Sequence, residues 1–237
     1  MTYSREKIRV TVDLCIQAST APHYQAAERA GVSVKKLEVV PSRHIRGDDL
    51  SLVQRCLAGD RAAQRELFDG EVRRVHAALF RILGTNIHID DLVQDTFLSV
   101  FRSLKTFRGE SSLATWIDRC TVRVAYRHLA SKRRRVPIVE IVPELAADDP
   151  DAERRAMGRE AARRLYRELD RLDPMYRVAF VLHAVEGRPL EEIAHLTDAS
   201  LAATKSRIWR ARKALEKRAC RDPLLRGFIL TEDEVES

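Results

Sequence analysis

From residue 48 onward, apolar side chains recur three and four positions apart, the period of an amphipathic helix, and no convincing stretch alternates as a half-buried strand would. The pattern predicts an all-α protein. Asp48-Asp49 precede a helix over Leu50–Ala58 that stops at Gly59. A second helix starts at Asp60 and runs to Leu83, with Ala63, Leu67, Val75 and Leu79 on one face and Gly84 behind it. The third begins near Asp90-Asp91, acids that suit the positive end of a helix dipole. It keeps Val93, Phe97, Val100, Phe101 and Leu104 on one face. After Phe107-Arg108-Gly109-Glu110-Ser111, Ser111 or Ser112 caps a fourth helix that turns Leu113, Trp116, Ile117, Cys120 and Val124 inward.

Residues 1–46 carry little pattern: 24–30 could form a short helix before Gly31, and 32–41 is the one mildly strand-like piece. They are read as an extension of unknown role. Residues 136–160 begin with three prolines among many acids and read as a linker, extended in part. A final helical domain spans 161–221, with an acidic tail over 222–237. Within it, Asp173-Pro174 is an N-cap followed by proline at the first helical position. Val178, Val181, Leu182 and Val185 form a core face, and Gly187 ends the helix.

The segment LEEIAHLTDASLAATKSRIWRARKALEKR (190–218) is the most telling. A short helix with an acidic start buries Leu190, Ile193 and Ala194. Thr197-Asp198-Ala199-Ser200 break it. A second helix follows, with Ile208, Ala211 and Leu215 inward and seven basic residues from Lys205 to Arg218. Two helices, a tight turn and a cationic second helix are the pattern of a helix-turn-helix that enters a DNA major groove.

Charge sharpens the picture. The net charge is +7 over 237 residues, but its distribution matters more. Residues 47–135 hold 16 Lys/Arg against 11 Asp/Glu, and 161–221 hold 14 against 8, while the linker holds 3 against 7. Two cationic blocks flank an anionic connector, as expected of two contact surfaces on one polyanion. The four cysteines, Cys15, Cys56, Cys120 and Cys220, lack metal or disulfide spacing and read as reduced structural thiols. No metal site and no cofactor are expected. No apolar run reaches the roughly 20 residues of a membrane span, and the N-terminus lacks a signal-peptide pattern. A soluble, cytoplasmic protein is expected.

In the fourth helix Arg119, Arg123 and Arg127 recur every fourth residue and lead into Lys132-Arg133-Arg134-Arg135. Each can neutralise a phosphate and release a counterion. Phe107 and Trp116 flank a small polar loop, and base capture needs aromatic surfaces beside hydrogen-bonding groups. Either aromatic could equally be core. Asp90, Asp91, Gln94 and Asp95 gather on the first turns of the third helix, where DNA would be repelled; a basic protein partner, or simple solvation, explains them. In the last helix Ala203, Thr204, Lys205, Arg207, Arg210 and Arg212 are offered to a groove. Residues near its start are expected to reach base edges, and later cations phosphates.

Taken in order, these segments resemble an alternative bacterial RNA polymerase sigma factor of the extracytoplasmic-function (ECF) type. DDLVQDTFLSVFRSLKTFRG (90–109) resembles the family's core-binding helix and loop, SSLATWIDRCTVRVAYRHLASKRRR (111–135) its −10-binding helix, and 172–215 its −35-binding domain. The resemblance implies a four-helix core-binding and −10 domain (sigma region 2, 47–135) and a helix-turn-helix domain (region 4, 161–221), joined by a linker that threads the polymerase. It puts Asp91, Gln94, Asp95 and Phe97 on the clamp helices of the largest polymerase subunit. It puts Phe107, Arg108 and Ser111 where an unstacked non-template base is held, and Trp116, Arg119, Arg123 and Arg127 beside the opening bubble. Ala203, Thr204, Lys205, Arg207, Arg210 and Arg212 fall in or beside the −35 groove. Core polymerase, promoter DNA and an anti-sigma factor are the implied partners. The recognition helix opens L-A-A-T-K-S-R (201–207) where the family commonly has G-T-V-K-S-R, and Thr197 stands where an apolar residue is usual.

No catalytic residue is expected: there is no phosphate-cradling glycine loop and no nucleophile elbow, and Glu191-Glu192 read as a helix start. A helix-turn-helix regulator acting without polymerase remains the alternative, normally a dimer on two half-sites. A nuclease would need converging acids or histidines for metal, whereas the acids here lie on separate helix starts. An adaptor role leaves two cationic helices unexplained.

Overall fold

The computed structural model describes residues 47–132, 152–222 and Leu225. The N-terminal extension, the basic run 133–135, the proline-rich part of the linker and nearly all of the acidic tail lie outside them. Among the described residues every regular element is helical: α1 (Gly47–Leu57), α2 (Arg61–Leu83), α3 (Ile89–Ser103), a 3-10 turn (Leu104–Thr106), α4 (Leu113–Lys132), α5 (Ala152–Leu169), α6 (Pro174–Phe180) continuing into a π-helical turn (Val181–Val185), α7 (Leu190–Leu196) and α8 (Leu201–Ala219). The all-α expectation holds.

Local chemistry sets the boundaries. Asp60 caps α2, its carboxylate accepting from the Ala62 and Ala63 N–H groups at 2.8 and 3.2 Å. Gly84 ends it in the left-handed conformation at φ 67°, donating its N–H to Phe80. Asp173 caps α6 through the Met175 N–H, with Pro174 in the first turn where a missing N–H costs nothing. The π-helical turn was not anticipated; one extra residue per turn reconciles the buried Val181, Leu182 and Val185 with the bend towards Gly187.

The described residues separate into two compact units. One gathers α1 to α4 with Leu190–Ala203, the other α5, α6, the π-helical turn and α8 from Thr204 onward. In the first, α2, α3 and α4 pack mutually around Leu67, Val75, Leu79, Ile82, Ile89, Val100, Ile117 and Ala125, each at most 1% exposed. α1 closes one side against α2 and the 3-10 turn. In the second, Leu165, Leu169, Val178, Leu182, Ala211 and Leu215 are buried, as are two charged residues, Glu216 and Arg177. That guanidinium is tolerated because it donates to Asp170 and lies 5.9 Å from the ring centre of Tyr166. Arg164 of α5 also ties Asp222, just past α8, at 3.0 Å.

Candidate nucleic-acid and polymerase interface

The acidic helix divides cleanly. Leu92, Val93, Thr96, Phe97 and Val100 of α3 face the core, while Asp91, Gln94, Asp95 and Leu98 form one exposed stripe. Beside this stripe runs an apolar groove of about 410 Å³ with Phe68, Val72, Phe97, Leu98 and Phe101 among its walls. Phe97 is its buried floor, with the Phe68 ring 4.6 Å away. Phe68 and Leu98 stay 37% and 43% exposed, and Asp90 and Gln94 are the polar residues on the groove's walls. Such a face suits a basic, amphipathic protein element and repels DNA. His76, beneath α3, is held below its usual pKa by burial, with Asp90 pulling the other way.

The loop between α3 and α4 is built tightly. Ser112 caps α4, its Oγ accepting the Thr115 N–H at 3.2 Å. Arg74 of α2 reaches across to the same end of α4, donating to the Ala114 carbonyl at 2.9 Å and to Asp118, with Glu71 as its other carboxylate. Arg108 is exposed and Ser111 half-buried. Phe107 differs from the expectation that it faces DNA. It is buried and meets Trp116 edge-on at 5.8 Å, so it backs the tryptophan and offers no open face for stacking. Trp116 is half-buried and keeps part of its surface at the loop.

Arg119, Arg123 and Arg127 do form a stripe. Arg123 and Arg127 are exposed, whereas Arg119 is half-buried; burial first, and the neighbouring Arg123 charge second, lower its pKa. Within the same unit Arg119 and Arg123 both donate to the carboxylate of Asp198, Arg123 Nη2 at 2.8 Å. Cys120 lies on the inner side, its thiol pKa raised by burial. Cys56 and Cys120 are buried free thiols and Cys220 an exposed one.

The turn after α7 is set by Asp198 at φ 49°, and Ser200 Oγ then accepts the Ala203 N–H at 3.1 Å to start α8. Along α8, Ala202, Lys205, Ser206, Trp209, Arg210 and Lys213 are exposed on one side. Arg210 is braced by the Tyr176 hydroxyl at 3.0 Å. Arg207 and Ala203 are half-buried. Thr204 departs from its expected place at a base edge. It is fully buried, on the stripe that continues through Ala211 and Leu215. Arg212 lies off the exposed side, its Nε bonded to Glu216 at 2.6 Å. Trp209, 60% exposed, shares that side with Ser206 and Lys213, and steps of four from Lys205 and of three from Ala203 mark it in the sequence.

Comparison with known proteins identifies the family. Residues 67–135 match the Sigma-70 region 2 family and 162–215 match Sigma-70 region 4. An ECF RNA polymerase sigma-E factor from Haemophilus influenzae is 32% identical over 181 residues, covering 72% of this chain and 94% of that one. The RNA polymerase sigma-H factor of Pseudomonas aeruginosa is 30% identical, over 75% of this chain and 96% of its own length. In fold, the chain is similar to CnrH, solved in complex with the cytosolic domain of CnrY, with a TM-score of 0.51 at 23% identity over 73% of this chain and 98% of that one. A two-part helical initiation factor is thus the class that fold and site define. The chain belongs to the ECF family of RNA polymerase sigma factors. No helix among the described residues is long and apolar enough to cross a membrane.

Proposed function

We propose that this sigma factor docks on core RNA polymerase through the exposed stripe Asp91, Gln94 and Asp95 with the groove floored by Phe97. Its loop at Arg108 and Ser111, with Trp116, Arg119, Arg123 and Arg127, takes the −10 strand. The exposed side of α8, led by Lys205 and Arg210 and joined by Ala203, Arg207 and Arg212 at its margin, reads the −35 element. Phe107 and Thr204 support these surfaces from behind. The observation that carries the reading is the segregation of charge by helix: α3 exposes Asp90, Asp91 and Asp95, with Asp90 on the wall of its apolar groove, while α4 and α8 expose cations. A regulator that met DNA alone would have no use for an acidic, apolar-centred face.

Region 2 over 47–135, the linker over 136–160, whose residues 152–160 already belong to α5, and region 4 over 161–221 are the proposed functional divisions, with two weak DNA contacts made effective by tethering to one polymerase. Strand opening then needs no chemical step. Unstacking costs a few kcal/mol per base, offset by capture in protein pockets, so the protein works in the cytoplasm as a non-enzymatic factor. The groove would also suit a regulatory protein of the anti-sigma kind, in keeping with a similar fold solved with a protein partner. Mixing the protein with core polymerase and sequencing transcript 5′ ends tests the reading directly; no discrete starts beyond those of core alone would end it. Asp95→Arg is expected to abolish core retention in a pull-down while leaving binding of free protein to duplex DNA intact.

A further inference from the structure

We propose that α1, through Asp49 and Leu50, is the positioning element for the strand-capturing loop. Single-strand recognition would then be governed by a helix outside the span that region 2 matches. Asp49 Oδ2 accepts the N–H of Leu113, the first residue of α4, at 3.0 Å. Ser112 accepts the Thr115 N–H. Two N–H groups that a helix start leaves unpaired are therefore met from different parts of the chain, and the Asp49 carboxylate adds a negative charge at the positive end of the α4 dipole. Leu50 supplies a second anchor. Gly109 has φ +74°, and a Cβ there would stand 3.3 Å from Leu50 Cδ2.

The loop over 107–112 is thus pinned at its middle and at its exit by adjacent side chains of one helix. Leu50 is 42% exposed and so lies outside the core, with the end of its side chain beside Gly109. A carboxylate beside a strand-binding loop opposes DNA electrostatically; its bond to the Leu113 N–H gives it a compensating task. Because Trp116 and Arg119 follow within two turns of Leu113, a shift of that residue displaces both.

The test uses the full chain reconstituted with core polymerase and two labelled probes taken from a promoter mapped by transcript 5′ ends. One is a fork with an unpaired −10 strand, the other a duplex with the −35 element alone. Asp49→Ala is expected to weaken fork binding about fivefold, the loss typical of an absent N-cap, with the −35 duplex bound as before. Asp49→Asn, whose amide oxygen can still accept the Leu113 N–H, is expected to stay within about twofold of the native protein. Native fork binding by Asp49→Ala overturns the proposal, as does an equal loss on both probes or an Asn variant no better than Ala. The inference rests on the loop being the strand site, and Trp116→Ala separates the two failures. If Trp116→Ala loses fork binding while Asp49→Ala does not, the role of α1 falls alone. If neither loses it, the loop reading falls as well.

Discussion

Lys205 and Lys213 lie two turns apart on the exposed side of α8, yet they are not equivalent donors to a phosphate. Lys213 donates Nζ to Glu216 at 2.9 Å, and Glu216 also receives Arg212. Among the described residues Lys205 makes no ion pair. A cation that meets a phosphate releases a condensed counterion, and each such contact contributes about 0.9 to the slope of log affinity against log salt. Removing Lys205 is therefore expected to flatten that slope by about 0.9, which between 50 and 200 mM salt amounts to roughly a 3.5-fold smaller loss of affinity. Lys213 is already part-neutralised, and a phosphate would have to compete with Glu216 for it. Lys213→Ala is expected to flatten the slope by less than about half as much. Fluorescence anisotropy of the reconstituted holoenzyme on a −35 duplex, repeated across potassium chloride concentrations, gives both slopes. Equal changes for the two variants, or none for Lys205→Ala, would refute the argument.

Glu216 also predicts an acid response. Burial opposes its charge, but hydrogen bonds from Lys213 and Arg212 outweigh this and hold the carboxyl below its usual value of 4.5. A folded pKa below the unfolded one contributes stability that is present above pH 4.5 and fades as pH falls through the folded value. Urea unfolding from pH 6 to 3 is expected to show a shallower acid decline for Glu216→Gln than for the native chain; parallel curves would count against it. The glycines predict effects of opposite sign. Gly70 lies inside α2 with nothing within 4 Å of an added Cβ, so Gly70→Ala is expected to stabilise by about 0.5–1 kcal/mol. Gly59 has similar space but φ +84°, so Gly59→Ala is expected to cost about 1–2 kcal/mol. Thermal melts of the two variants should move apart.

The helices were readable because they are amphipathic and bounded by residues with one conformational use: Asp60 and Asp173 as caps, Gly84 as a left-handed stop. Which face of α8 is exposed and cationic is also readable, yet proximity in sequence to basic residues places Thr204 among them, whereas its spacing of seven and eleven from Ala211 and Leu215 marks it as core. Phe107 failed for another reason. An aromatic in a loop carries no periodicity, so only the tertiary partner, Trp116, decides whether its face is open. The contacts least visible in one dimension join distant segments: Arg74 to Asp118 and Asp49 to Leu113. Each couples a charge to a group that folding alone brings near, and propensity, which is summed over neighbours, has no term for it. These long-range bonds hold the start of α4. The residues that meet DNA can therefore be proposed from charge and period, but the geometry that makes them effective depends on side chains whose sequence surroundings give no hint of the task.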